Sequence, residues 1–344
     1  MNERLESLDG IRALAAIGIV ASHVLGNLHL DLPRNFLFDV LIPFGANYVF
    51  LFMIISALSM CCGYYQKFKD RQVDLNTFYK RRYSRIWPFF ALLVLIDLVV
   101  SFSASSAIEA FADLTLLFGF LPNPDIQVIG MGWFLGLIFV FYTIFPFFVF
   151  MINNKKRAWF SFAVSIAMCV FASSYFSRPE LVVRAVGKWN ILYSMPMFVC
   201  GGILFLYLKD LKKLSSRWQI PLVLAVLASI LFFCTGQQNS FAKLALFAFW
   251  VVFAIADSGR GAKWTLLNNK IMAYISGISM EIYLCHMIIF RAVEKTNILN
   301  GVGSGVVRYI LYFVVTLIGA AVFSHVVKMN LFPLLAKVKE RIIK

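Results

Sequence analysis

Charge is what this chain has least of. Only 14% of its 344 residues are charged, against 61% hydrophobic. A soluble chain of this length with so much apolar side chain would expose large sticky patches, which excludes a soluble globular domain. Acid is scarcer than base: 17 Asp and Glu stand against 32 Lys and Arg. Cysteine is sparse too. Cys61, Cys62, Cys169, Cys200, Cys234 and Cys285 form no C-x-x-C pair and lie in or beside apolar runs. That supports neither a disulfide framework nor a zinc site; they read as small packing residues, and no metal is expected. Strict apolar–polar alternation is missing, which argues against a transmembrane β-barrel. No fixed-period repeat or low-complexity tract is visible. A basic leader is missing as well. Glu6 and Asp9 stand where one would be, and no small-residue cleavage site follows, so the first apolar run is expected to be a retained helix.

What is present is a series of apolar runs of about spanning length. They fall near 11–28, 42–64, 87–104, 130–152, 159–176, 189–208, 219–235, 241–256, 271–291 and 306–327. The expectation is an all-α integral membrane protein of about ten transmembrane helices. It is expected to form one domain over 1–344, with a core of about 5–330 and a short basic tail. The run near 241–256 is the shortest. Between Asp113 and Gly130 an apolar piece, Leu114–Leu121, is broken by Pro122-Asn123-Pro124 and reads as an interfacial or re-entrant loop.

Basic residues cluster on alternate connections. Lys67, Lys69, Arg71, Lys80, Arg81, Arg82 and Arg85 share one side with Lys155, Lys156, Arg157, Lys209, Lys212, Lys213, Arg217, Arg260, Lys263, Lys270 and the tail. The bias is about three to one, so both termini are expected to be cytoplasmic. The net charge of +15 is then mostly a topology signal. With no soluble basic domain to carry it, no nucleic-acid partner is expected; the surroundings are membrane lipids. The longest cytoplasmic loop is expected over 65–86.

Several polar residues stand inside these runs, and intramembrane ionisable groups are costly enough to mark function. Arg12 and His23 are eleven positions apart in the first run. On a straight helix they share a face, about 16 Å apart along the axis. A neutral imidazole there is available as a general base; the bland alternative is a histidine bonded between helices. Asp9 is three residues before Arg12 and within pairing reach, or else caps the helix. Arg82 and Arg85 are also three apart, in Lys80-Arg81-Arg82-Tyr83-Ser84-Arg85-Ile86-Trp87-Pro88. Two guanidiniums on one face can hold phosphate, while membrane anchoring is the simpler use, preferred for Lys80 and Arg81.

Near the C-terminus, Ser279, Tyr283 and His286 follow one helix stripe, with Glu281 about 140° away from His286. Glu281 must therefore face another helix, a cavity or a headgroup. Asn47 and Ser56 are polar points in the second run, where helix-to-helix hydrogen bonds are the bland use. Trp133-Phe134-Leu135, with Phe141-Tyr142 and Pro146, reads by itself as an aromatic belt and a kinked span. Asp97 is an intramembrane carboxylate with no assigned partner.

Together these pieces resemble the membrane-bound acyltransferase family 3, bacterial O-acyltransferases of polysaccharides and other envelope molecules. Leu8-Asp9-Gly10-Ile11-Arg12-Ala13 with His23 is similar to the family's Arg, ten residues, His motif. Arg82-Tyr83-Ser84-Arg85 is similar to its Arg-x-x-Arg motif before the third helix. Tyr48–Ser56 resembles its Phe-rich second helix, and Tyr283-Leu284-Cys285-His286 its Tyr-Leu-x-His segment. The chain departs at Ser56-Ala57, where the family has Ser-Gly, and at Ile138 and Phe139, where many members carry a Glu.

The resemblance implies transfer of an acyl group, most often acetyl, from cytoplasmic acyl-CoA to a hydroxyl of an envelope polysaccharide or lipid-linked sugar. It implies the bacterial cytoplasmic (inner) membrane as the location. Acyl-CoA would be a donor substrate, and no cofactor would be permanently bound. His23, counted with Asp9 as catalytic, would be the base. Arg12, Arg82 and Arg85 would hold the phosphates of CoA. Glu281, Tyr283, His286, Ser56 and Trp133 would bind the acceptor. The competing classes are a membrane transporter, against which the lack of an internal repeat speaks, and a non-catalytic component of a polysaccharide export system. The oligomeric state is left open.

Overall fold

A computed structural model describes residues 5–116, 129–175, 191–236, 239–261 and 265–333. Among the described residues all regular structure is helical. A chain in hydrocarbon must satisfy its backbone polar groups internally, and long runs of Leu, Ile, Phe, Val and Ala can do so only as helices. In chain order these are α1 (Glu6–Asn27), α2 (Leu37–Lys69, continuous through π and 3-10 turns), α3 (Leu75–Val100), α4 (Ala104–Thr115), α5 (Trp133–Met151), α6 (Lys155–Tyr175) and α7 (Ile191–Leu206). The short α8 (Leu208–Lys212), α9 (Gln219–Thr235), α10 (Ser240–Ser258), α11 (Lys270–Gly277), α12 (Ser279–Lys295) and α13 (Gly305–Val326) follow.

Among the described residues seven helical stretches are long and apolar enough to cross a membrane, and up to nine if each bent pair counts as one span. The bent pairs are Ile191–Leu206 with Leu208–Arg217, at 67°, and α11 with α12, at 71°. Helix α9 is apolar but has only 17 residues. The protein is thus a multi-pass membrane protein, all-helical over the described residues. Over its described residues, each apolar run of the sequence coincides largely with a helix or a bent pair.

Some boundaries differ from the sequence reading. The third spanning helix starts at Leu75, so the basic segment expected as a loop to Ile86 is helical. The cause is a cap. The Asp74 carboxylate accepts from the Thr77 N–H at 2.8 Å and the Thr77 hydroxyl at 2.6 Å, which starts the helix twelve residues before the apolar run. Pro88 is carried inside it. Near 241–256 the helix runs over 19 residues, capped by Asn239; the shorter one is α9. Of the segment 113–130, the part with Pro122-Asn123-Pro124 lies outside the described residues. Its beginning belongs to α4, which folds back along α3: the Tyr83 hydroxyl donates to the Thr115 carbonyl at 2.6 Å and the Trp87 indole to the Leu114 carbonyl at 2.7 Å.

Helix α1 sits in the middle, packed against α2, α10, α11, α12 and α13. Its start is tied down by a buried carboxylate, Asp257, which accepts from the Ser7 hydroxyl at 2.7 Å and pairs with Arg260 at 2.8 Å. At Gly10 a Cβ would run into the backbone of Leu267, so only glycine allows this approach. Gly201 does the same for α7, where a Cβ would run into the Ile54 carbonyl of α2; small residues permit such close helix contacts in membranes.

Candidate active site

Two histidines from opposite ends of the chain meet inside the bundle. His23 on α1 and His286 on α12 bring Nδ1 and Nε2 to 2.9 Å. Their ring planes differ by 11° and their centroids are 5.1 Å apart. That separation is close to the largest a 2.9 Å contact between ring nitrogens allows. The rings therefore lie edge to edge in one plane, not face on face. On its other side His286 Nδ1 is 2.7 Å from the Tyr283 carbonyl.

This fixes the protons when both rings are neutral. A carbonyl only accepts, so His286 Nδ1 carries the hydrogen and Nε2 is an acceptor. His23 Nδ1 must then donate, and His23 Nε2 is the unprotonated nitrogen. His286 is fully buried while His23 is half-buried. The inner ring orients and the outer ring is the reachable one.

Three turns away along α1 is a second cluster. Arg12 donates through Nη1 to the Asp9 carboxylate at 3.1 Å and to the Ser276 hydroxyl at 3.4 Å, and through Nη2 to the Ser59 hydroxyl at 3.1 Å. Ser276 in turn donates to Asp9 at 2.9 Å. Asp9, expected among the catalytic residues, thus lies with Arg12, on the turn below it, and not beside His23. Ser59 and Ser276 were not singled out from the sequence. A lone serine in an apolar run carries little signal; only the partner helix reveals it.

Arg82 lies on α3 with its guanidinium against rings from two other elements and its own helix. It is 4.6 Å from the Tyr64 ring, 5.7 Å from Tyr142 and 5.9 Å from Phe78. Its Nε is buried without a hydrogen-bond partner among the described residues. Nor does a carboxylate pair with it among them. Ser59 and Tyr64 are five residues apart on α2, about 7.5 Å along the helix. Arg12 and Arg82 thus reach neighbouring levels of one helix. Arg85, one turn from Arg82, is exposed.

The remaining expected residues divide. The Tyr283 hydroxyl is buried and donates to the Met131 carbonyl at 2.7 Å, fixing the start of α5. Its ring stands edge-on to Phe134, and Phe134 edge-on to Trp133. Ser56 is one turn from Ser59 and half-buried. Glu281 points elsewhere: its carboxylate pairs with Lys328 at 2.7 Å. An apolar cavity of about 320 Å³ lined by Ile11, Leu14, Ala15, Tyr48, Phe247 and Trp250 occupies the other side of α1 and includes none of these polar residues.

The described residues thus form a multi-span helical bundle that holds an imidazole pair and arginines within its spans. Residues 5–325 match the family described as an acyltransferase domain, so the chain belongs to the membrane-bound acyltransferase family 3. The chain is also similar to a protein named acyltransferase MdmB from Streptomyces mycarofaciens, at 24% identity over 322 residues, covering 84% of this chain and 79% of the relative. No solved structure matches.

Proposed function

We propose that this acyltransferase moves an acyl group, in the first instance acetyl, from acyl-CoA to a hydroxyl of an envelope polysaccharide or lipid-linked sugar. In this reading it crosses the bacterial inner membrane ten times with both termini in the cytoplasm. The observation that carries it is the hydrogen-bonded series from the Tyr283 carbonyl through His286 to His23, which leaves the lone pair on His23 Nε2.

His23 Nε2 takes the proton of the acceptor hydroxyl as its oxygen attacks the thioester carbonyl. The C–S bond then breaks, and the CoA sulfur leaves with the proton returned from His23. As the imidazolium forms, its Nδ1–H remains bonded to His286, which keeps the ring in place. Arg12, Arg82 and Arg85 bind the phosphates of CoA. A guanidinium packed on aromatic rings with no carboxylate among the described residues supports this, because none of them neutralises its charge. Asp9 holds Arg12 in position. Ser56, Trp133 and Tyr283 line the acceptor side.

The test is transfer from labelled acetyl-CoA by the purified protein in nanodiscs, with total envelope extract as acceptor. His23→Ala is expected to lower turnover by about 10²–10⁴ while the protein still purifies as a folded species. Near-wild-type turnover in His23→Ala would remove His23 from the base role.

A further inference from the structure

The break between α11 and α12 joins the two halves of the site. Ser276, two residues before it, contacts Arg12 and Asp9; His286, eight residues after it, contacts His23. On α1 the corresponding pair is held about 16 Å apart by an uninterrupted helix. On the opposing side only the 71° break sets the distance.

A helix break leaves carbonyls without partners, and here side chains take them. The Ser276 carbonyl accepts from the Ser279 hydroxyl at 2.9 Å, and the Gly277 carbonyl accepts from Lys328 Nζ at 2.8 Å. The same ammonium reaches the Glu281 carboxylate at 2.7 Å. A cation at the C-terminal end of α11 and a carboxylate in the first turn of α12 both oppose the local helix dipoles. One turn before Lys328, His325 Nδ1 lies 2.8 Å from the Tyr274 hydroxyl of α11. The end of α13 and the π-helical turn that continues it, Val327–Leu331, therefore grip both sides of the break.

We propose that Lys328 is a positioning residue. It fixes the α11–α12 break through the Gly277 carbonyl and Glu281, and so keeps the Arg12 end of the site in register with the His23–His286 pair. Glu281 is then the anchor of Lys328 and does not act on the acceptor. This rests on the proposed role of His23.

The experiment combines kinetics with hydrogen–deuterium exchange over 270–290 for Lys328→Met, Lys328→Arg and Glu281→Gln. A displacement of about 1 Å at a reacting centre can cost on the order of 10²-fold. Lys328→Met is expected to lower kcat by about tenfold or more, leave the KM for acetyl-CoA nearly unchanged, and speed exchange at the break. Lys328→Arg keeps both hydrogen bonds and is expected to restore both readouts. Glu281→Gln keeps an acceptor oxygen and is expected to retain most of kcat. Unchanged exchange in Lys328→Met, or faster exchange with unchanged kcat, overturns the proposal. So does a Glu281→Gln protein without transfer but with wild-type exchange, since the carboxylate then acts in the chemistry itself. If the wild type transfers nothing from acetyl-CoA, the functional reading fails on its own, while the exchange arm still decides whether Lys328 holds the break.

Discussion

His286 holds His23 by a bond that runs in the plane of both rings, 2.9 Å from Nε2 to Nδ1. The arrangement is directional. It starts at a backbone carbonyl, which cannot donate, and ends at the half-buried ring. A histidine anchored this way by a backbone carbonyl selects both the tautomer and the rotation of the ring it holds.

That assignment separates two substitutions at one position. His286→Leu removes the acceptor, so His23 loses its orientation, and transfer should fall on the order of 10²-fold. His286→Gln can place an oxygen near the lost Nε2 and should recover part of it. The acetyl-CoA KM should stay close to wild type in both, because neither change touches the arginines. A His286→Leu enzyme with full kcat would show that His23 needs no partner.

Arg82 should behave in the opposite way. Its guanidinium lies against Tyr64, Phe78 and Tyr142 and has no carboxylate among the described residues. A hydrogen bond to a charged group contributes about 1.5–3 kcal/mol, so Arg82→Ala should raise the acetyl-CoA KM by roughly tenfold or more. Arg82→Lys should not restore it, since an ammonium cannot form the planar fork or spread over the rings. Isothermal titration with CoA checks the point without turnover. Unchanged affinity in both variants would return Arg82 to packing and membrane anchoring.

Much of this was legible in the sequence because bilayer physics leaves strong marks. A costly Arg and His in one apolar run had to share a face, and they do. Glu281 and His286 had to diverge around their helix, and Glu281 meets Lys328 instead. What stayed hidden depends on which helices become neighbours. Nothing local says that His23 meets His286, 263 positions away, or that Ser59 and Ser276 converge on Arg12. The start of α3 was missed for a local reason: hydropathy begins near Trp87, whereas the helix begins where Asp74 can cap it.

That cap gives the last prediction, and its sign follows from the hydrogen bonds. The Thr77 hydroxyl and N–H both donate to Asp74 and hold its carboxyl below the ordinary carboxylate range. A depressed native pKa means the unfolded chain binds the proton more readily. The cap thus contributes fully above the unfolded pKa and is lost as pH falls through the native one. Because α3 carries Arg82 and Arg85, fraying at Leu75 should loosen them before the apolar part of the helix responds. The thermal midpoint of the wild type in detergent should fall on acidification through this window. Asp74→Asn retains one acceptor oxygen but does not titrate, so its acid limb should be flatter and its midpoint at neutral pH lower. Asp74→Ala should lower the neutral midpoint further and exchange faster over the first turns of α3. Identical acid limbs in wild type and Asp74→Asn would show that this cap does not contribute to the pH dependence of the fold.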